Sequence, residues 1–343
     1  MPFVSTPTPV VEGQGGSITT SAAARERVSW PVPALPCVLA VSGGLDSMVM
    51  ATYLHALAPE RIAAVATFDH GTGSSATAAA RAVGVWAATR GLQVRVGATR
   101  GLPASEASWR AARWDFLSRM GDEFGAPVAT AHTEDDQAET VFIRLLRGSG
   151  VRGLAGLLAP SRVVRPLVTV SRAEVHDFAR LHDVPFTEDP SNSDLRYLRN
   201  RVRRELLPAA ERHVPGFRLW LLELGRAAAE WRCDVRTAVD QFWTVAVSPD
   251  RSSVRVNRDR RRPPSREQAA LFWPDVAGRI GVALDRRGTD RLASFSTTSV
   301  TGQSMPLSGG VSVITERECW TLRRAEADVV GEAPANRLAL RRG

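Results

Sequence analysis

Between residue 36 and about residue 146, short apolar runs take turns with stretches whose apolar positions recur every three to four residues. Cys37–Val41, Ile62–Phe68, Leu92–Val96 and Pro127–Ala131 read as strands. Ser47–Leu57, about Ser75–Thr89, Ser105–Glu123 and Glu134–Arg147 read as the helices between and after them. Strands that alternate with helices predict an α/β fold, a parallel twisted sheet with helices on both faces. Ligands of such sheets lie beyond the carboxyl ends of the strands. Three loops fall there, Ser42–Asp46, Asp69–Gly73 and His132–Asp136, and one site built from all three is expected.

Past residue 150 the alternation fades. Ser171–His182 and the arginine-rich Leu195–Leu206 have helical spacing, a long helix is expected from Pro215 to about Val245, and 290–325 reads as short strands with turns. The expected organisation is a leader over 1–33, an α/β domain over 34–214 and a smaller, mainly helical or α+β domain over 215–343. Ser, Thr, Pro, Gly and Ala dominate the first 30 residues, which lack the apolar core of a signal peptide and read as disordered.

Charge narrows the partners. The net charge is +8 and the isoelectric point about 10.8, a balance that favours a polyanion such as nucleic acid. All 44 basic residues are arginine. Without lysine there is no Walker-type phosphate loop and no covalent lysine intermediate. A nucleotide used for activation must therefore pass directly to the substrate. Cys37, Cys233 and Cys319 are scattered and form no CxxC pair, so no zinc or iron–sulfur site is signalled. No apolar run approaches the roughly 20 residues of a membrane span, and a soluble cytoplasmic protein is expected.

The loop after the first strand reads SGGLDS, Ser42, Gly43, Gly44, Leu45, Asp46 and Ser47. Backbone N–H groups of such a turn, with the positive end of the following helix, suit phosphate oxygens. Asp46 would repel phosphate directly and is suited to a bridging metal; a plain glycine turn with Asp46 as helix cap is the other reading. Asp136 and Glu139, spaced i and i+3, share one helix face near its start. They suit a cationic amino acid, or are simply charges that favour a helix N-terminus. Arg196, Arg199 and Arg203 align on one helical face and suit phosphates of RNA. Trp220, Trp231, Trp243 and Trp273 serve as core or as stacking surfaces for bases.

SGGLDS resembles the pyrophosphatase (PP-loop) motif of N-type ATP pyrophosphatases, which have an adenine nucleotide alpha hydrolase-like fold. Residues 129–157, ATAHTEDDQAETVFIRLLRGSGVRGLAGL, resemble the tRNA(Ile)-lysidine synthase family, as do Arg165-Pro-Leu167, Glu188-Asp-Pro-Ser-Asn192 and Tyr197–Arg203 in the same order. The resemblance implies a ligase forming a carbon–nitrogen bond. Such an enzyme adenylates the wobble cytidine of tRNA(Ile) with a CAU anticodon, then exchanges the adenylate for free L-lysine, changing codon reading from AUG to AUA. It implies ATP at Ser42–Ser47 with Asp69, His70 and His132, Mg2+ at Asp46, and lysine at Asp136 and Glu139. Arg110 and Arg113, three apart in EASWRAARW, would then face the active site and neutralise phosphate charge; otherwise they are solvated arginines. DHGTG stands where the family has DHGLR, and His132-Thr133 where it often has two histidines. His132 either contacts nucleotide or packs. A related tRNA thiolase and a catalytically silent RNA-binding homologue are the alternatives. The oligomeric state stays open, a homodimer included.

Overall fold

A computed structural model describes residues 29–71, 73–99, 106–188, 194–259, 261 and 263–324. Most of the expected leader and four of the five residues of EDPSN lie outside the described residues. The chain divides into two compact units at Arg232/Cys233. The boundary expected from composition was 214/215.

The first unit holds a five-stranded sheet in the order β3-β2-β1-β4-β5, from β1 (Cys37–Ala40), β2 (Ile62–Asp69), β3 (Val94–Ala98), β4 (Val128–Ala129) and β5 (Val163–Val164). Every pairing is parallel. β1 is central, and Cys37, Val38 and Leu39 are fully buried, as a strand covered on both faces must be. The period of two sorts its neighbours. Leu39 and Val65 pack with Met50, Leu54, Val83 and Phe178, from α1 (Leu45–Leu57), α2 (Ser74–Ala88) and, further along, α6 (Arg172–Leu181). Val38 and Ala66 point the other way, onto Phe116 and Leu117 of α3 (Glu106–Glu123). Placed second from the edge, β4 reverses the direction in which the sheet grows. The loops after β1 and β4 therefore flank a topological switch point, where such sheets take their ligands.

α4 (Glu134–Leu146) and the one-turn α5 (Val151–Leu154) follow the last of these loops. Leu195–Leu206, expected as one helix, is instead α7 (Leu198–Arg201) widening into a π-helical segment over Val202–Leu206 before α8 (Leu207–His213). Arg196 lies ahead of the helix, so the single arginine face predicted from a 3.6-residue period does not form. α9 (Phe217–Phe242) is the expected long helix. Its Leu221 and Ala228 share a core with Val141 and Val202.

The second unit contains an antiparallel sheet in the order β6-β7-β10-β9-β8, from β6 (Val245–Val247), β7 (Ser253–Asn257), β8 (Ser304–Leu307), β9 (Val311–Thr315) and β10 (Cys319–Arg324). With it are α10 (Arg266–Arg279) and α11 (Arg286–Thr298). Residues 290–298, the start of the stretch expected as short strands with turns, belong to α11. The Asp285 side chain caps its N-terminus, accepting from Gly288 N at 2.6 Å, and Leu292 and Ala293 supply its buried face. Trp243, Trp273 and Trp320 form the core here, with ring centroids 5.2–6.0 Å apart. The choice between core and surface is thus decided as core for Trp243 and Trp273, whereas Trp220 is 48% exposed.

Candidate active site

The SGGLDS loop closes on itself. Ser47 Oγ donates to the Gly44 carbonyl at 2.8 Å and accepts from Ser42 N at 3.2 Å. Gly43 has φ +89°, and a Cβ there would sit 3.1 Å from Ala79 Cβ, so both conformation and space require glycine. Gly43 also accepts from Thr187 N at 2.9 Å. Asp46 lies in the first turn of α1. Burial pushes its carboxyl above the ordinary value, and the charges it feels next, in order, are Arg172, Asp136, Arg203 and His176. The glycine loop and the acidic helix, two of the three loops expected to meet, therefore share one electrostatic environment.

Thr133 starts α4 as a capping box: its N–H donates to Asp136 Oδ2 at 2.9 Å while its hydroxyl accepts from Asp136 N at 3.4 Å. The acidic first turn is then docked against the start of α6. Glu134 N donates to the Val170 carbonyl at 2.9 Å, and Arg172 N donates to Asp135 Oδ2 at 2.7 Å. Asp135 also pairs with Arg218. Gln137 is buried beneath, tying Ala155 O at 3.2 Å and Leu157 N at 2.6 Å. Gly225 of α9 passes so close that a Cβ there would meet Gln137 Nε2 at 2.4 Å.

Asp136 and Glu139 are 6% and 2% exposed, and three arginines converge on them. Asp136 Oδ1 accepts from Arg172 Nη2 at 3.0 Å, Arg199 Nη2 at 2.8 Å and Arg203 Nη2 at 3.1 Å. Glu139 Oε1 accepts from Arg203 Nε at 2.6 Å and Arg172 Nη1 at 3.3 Å. Glu139 Oε2 accepts from Arg199 Nε at 3.0 Å and Arg203 Nη2 at 3.2 Å. Burial alone would push the Asp136 carboxyl up, but Arg199, Arg172 and the Thr133 N–H outweigh it and hold it below the ordinary value. Arg199 and Arg203, expected to face RNA, thus point at the acid pair. Arg196 forms an exposed pair with Asp194 at 2.7 Å.

Arg172 escaped the sequence reading, although one signal was available. A cation at the first position of a helix opposes the helix dipole, so its presence directly after Ser171 implies an acid waiting nearby.

The remaining expected residues divide. His132 donates or accepts at Thr130 Oγ1 over 2.8 Å. Burial, and then Arg165, Arg199 and Arg113 against the opposing pull of Asp136, bring its pKa down to about 4, so it is neutral at pH 7. Arg113 is one of the charges felt by His132, which puts it on the site side of α3; burial and Arg110 lower its pKa. Arg110 is exposed. The Asp69 carboxylate accepts from Gly71 N at 2.8 Å and Thr77 Oγ1 at 2.7 Å, shaping the loop after β2. His70 packs edge-on against Phe68.

Among the described residues no group of three His, Cys, Asp or Glu side chains could hold a metal, and no helix is long and apolar enough to cross a membrane. Mg2+ needs no such group, because it is commonly bound through one or two carboxylates together with substrate phosphates and water. Asp46 beside the loop fits that requirement.

The profile of the PP-loop domain matches residues 20–210. A tRNA(Ile)-lysidine synthase of Parasynechococcus marenigrum (strain WH8102) is 35% identical over 296 residues, covering 80% of this chain and 85% of that one. That of Salinispora arenicola (strain CNS-205) is 35% identical over 279 residues, covering 76% and 83%. The Pseudomonas aeruginosa PAO1 enzyme is 37% identical over 264 residues, 73% of this chain but 54% of that longer one. Among solved structures, the U34-tRNA thiolase NcsA of Methanococcus maripaludis aligns with a TM-score of 0.48 at 19% identity, covering 57% of this chain and 73% of that one. So distant a likeness says nothing about chemistry.

Proposed function

The chain belongs to the tRNA(Ile)-lysidine synthase family, and from that premise we propose that it is an ATP-dependent ligase that installs lysine on the wobble cytidine of CAU-anticodon tRNA(Ile). The cytidine displaces pyrophosphate from ATP and becomes adenylated. Free lysine then attacks through its ε-amine and AMP leaves. The observation that carries this reading is the shared environment of Asp46, Asp136, Arg172 and Arg203, which joins a phosphate-type loop to a buried acid pair.

The loop Ser42–Ser47 and the N-terminus of α1 offer positive potential to the triphosphate. Asp46 would hold Mg2+ against it, which spreads the charge of the departing pyrophosphate. Arg113, whose charge is felt by His132, would add to that stabilisation. Neutral His132 is suited to donating or accepting one hydrogen bond rather than to binding phosphate as a cation. Asp136 and Glu139 bind the ammonium groups of lysine. The attacking ε-amine must be uncharged, whereas a neighbouring carboxylate favours the charged form. Gripping lysine and deprotonating it are therefore separate tasks.

Cysteine chemistry of the thiolase kind finds no support. Cys37 is buried in β1, and burial pushes its thiol up to about 12, far from a reactive thiolate. The test is incubation of the protein with ATP, labelled lysine and CAU-anticodon isoleucine tRNA. Label in the tRNA, dependent on ATP, is the expected result; ATP-independent RNA binding with no label would identify a silent homologue.

A further inference from the structure

The acid pair is already full. A carboxylate oxygen offers about two lone pairs, and Asp136 Oδ1 receives three guanidinium nitrogens, at 2.8, 3.0 and 3.1 Å. Its other oxygen takes the Thr133 N–H at 2.9 Å and the Thr133 hydroxyl at 3.2 Å. Both oxygens of Glu139 carry two guanidinium contacts each. No acceptor capacity is left for an ammonium group. A cationic guest reaches these carboxylates only by displacing a guanidinium.

Charge decides when that displacement is favourable. Asp46, Asp136 and Glu139 face Arg172, Arg199 and Arg203, three negative charges against three positive. A cation entering alone expels a guanidinium and leaves it in a partly desolvated place without a counter-charge, which is costly. A polyphosphate entering beside Asp46 offers the guanidiniums a bidentate partner, and the same movement empties the acids. Arg199 and Arg203, with side chains 38% and 30% exposed, have room to turn; Arg172, at 19%, is anchored by its backbone bond to Asp135.

Resting on the lysine reading above, we infer that Arg199 and Arg203, beside the anchored Arg172, form a charge gate, holding Asp136 and Glu139 until a nucleotide polyphosphate draws these two guanidiniums away, so that nucleotide and diamino acid bind with positive coupling. These arginines are positioning residues: they set the order in which the two small substrates load and keep lysine from occupying the site unaccompanied. The coupling is reciprocal, each ligand raising the affinity of the other by one factor.

Titration calorimetry on the full chain tests this, with lysine injected into protein alone, with a non-hydrolysable ATP analogue and Mg2+, or with adenosine. Lysine is expected to bind at least about fivefold tighter with the analogue than without it, the low end of typical coupling. Adenosine, which lacks phosphates, is expected to give no gain. Arg203→Gln is expected to strengthen nucleotide-free lysine binding and shrink the coupling, and Arg203→Lys to restore part of it. Equal lysine affinity in all three arms overturns the gate, as does a gain with adenosine equal to that with the analogue. A variant that weakens lysine binding equally with and without nucleotide also overturns it, since that is what a structural role predicts. Lysine binding absent from every arm overturns the lysine reading itself together with the gate, a result distinct from equal affinity throughout. Should Arg203→Gln not fold, the three arms on the unaltered protein decide.

Discussion

Each compact unit contains a buried acid–arginine network, and the two are built differently. In the C-terminal unit, Asp275 is 3% exposed and accepts from Arg236 Nε at 3.2 Å on one oxygen and from Arg279 Nη2 at 2.9 Å on the other. Arg279 then donates to Asp240 at 2.7 Å. Signs alternate along this chain of four groups, and one of its three links, Asp275 to Arg279, is one helical turn long. In the unit with the parallel sheet, two adjacent carboxylates meet three guanidiniums that arrive from 33 to 67 residues away. Like charges are stacked there, not alternated. Burial and pairing are common to both networks, so neither property marks a site. The order of signs does, because alternation spreads the partners along the chain, whereas two adjacent acids that share three guanidiniums can exchange those partners for a charged ligand.

The largest effects are expected where the like charges meet. Asp136→Asn and Glu139→Gln are predicted to reduce lysine transfer by on the order of 10²–10³, as for loss of one preorganised electrostatic contact. tRNA adenylation, followed as pyrophosphate release, should stay detectable in both. Parallel loss of both steps in both variants would remove the division of labour between loop and acid pair. The alternating network should respond in stability instead. Asp275→Asn removes the buried acid shared by the half-buried Arg236 and Arg279, the second of which also pairs with Asp240, and is expected to cost about 3 kcal/mol. The readout is a lower urea midpoint with nucleotide affinity unchanged. An unmoved midpoint would mean that the network contributes nothing to the fold, and the contrast drawn above would collapse.

Much of this was legible in the order of residues, because it depends on local pattern. β1 is a continuous apolar run since helices cover both of its faces, and the loops after β1 and β4 follow from strand–helix alternation. Thr133 and the acids behind it announce a helix start. What escaped reading lies in long-range geometry. Arg172 meets Asp136 across 36 residues, a distance at which spacing carries no information. Arg199 and Arg203 do share a side, but it faces Asp136 and Glu139, 60 to 67 residues back in the chain, and Arg196 lies ahead of the helix that carries Arg199. α11 rests on the Asp285 cap and the burial of Leu292 and Ala293, which outweigh the modest helix propensity of its Ser and Thr residues.

A smaller effect is expected from His132, which borders the crowded network without belonging to it. Its pKa of about 4 in the folded protein lies below the value of about 6.5 for an unfolded chain. As pH falls through 6.5, unfolded chains take up a proton that the folded site refuses, so stability falls until about pH 4 and is fully present above 6.5. His132→Gln removes this contribution. Its stability should decline less steeply than that of the unaltered protein between pH 6.5 and 4, as measured by urea unfolding at each pH. Equal slopes would mean that His132 titrates as it does in water and is not enclosed by the site.

The smallest effect separates the arginines that look alike in sequence. Arg199 and Arg203 spend their charge on buried acids, whereas Arg196 pairs with Asp194 at the exposed surface. An exposed pair of this kind contributes little to stability, so Arg196→Ala should leave the melting temperature unchanged. If Arg196 is the one that meets RNA, each phosphate contact removed lowers the slope of log affinity against log salt by about one. tRNA titrations between low and moderate salt should then show a slope reduced by about one in Arg196→Ala. An unchanged slope would place the RNA contacts elsewhere on the arginine-rich surface and leave Arg196 as a solvated charge, while the inward roles of Arg199 and Arg203 would stand.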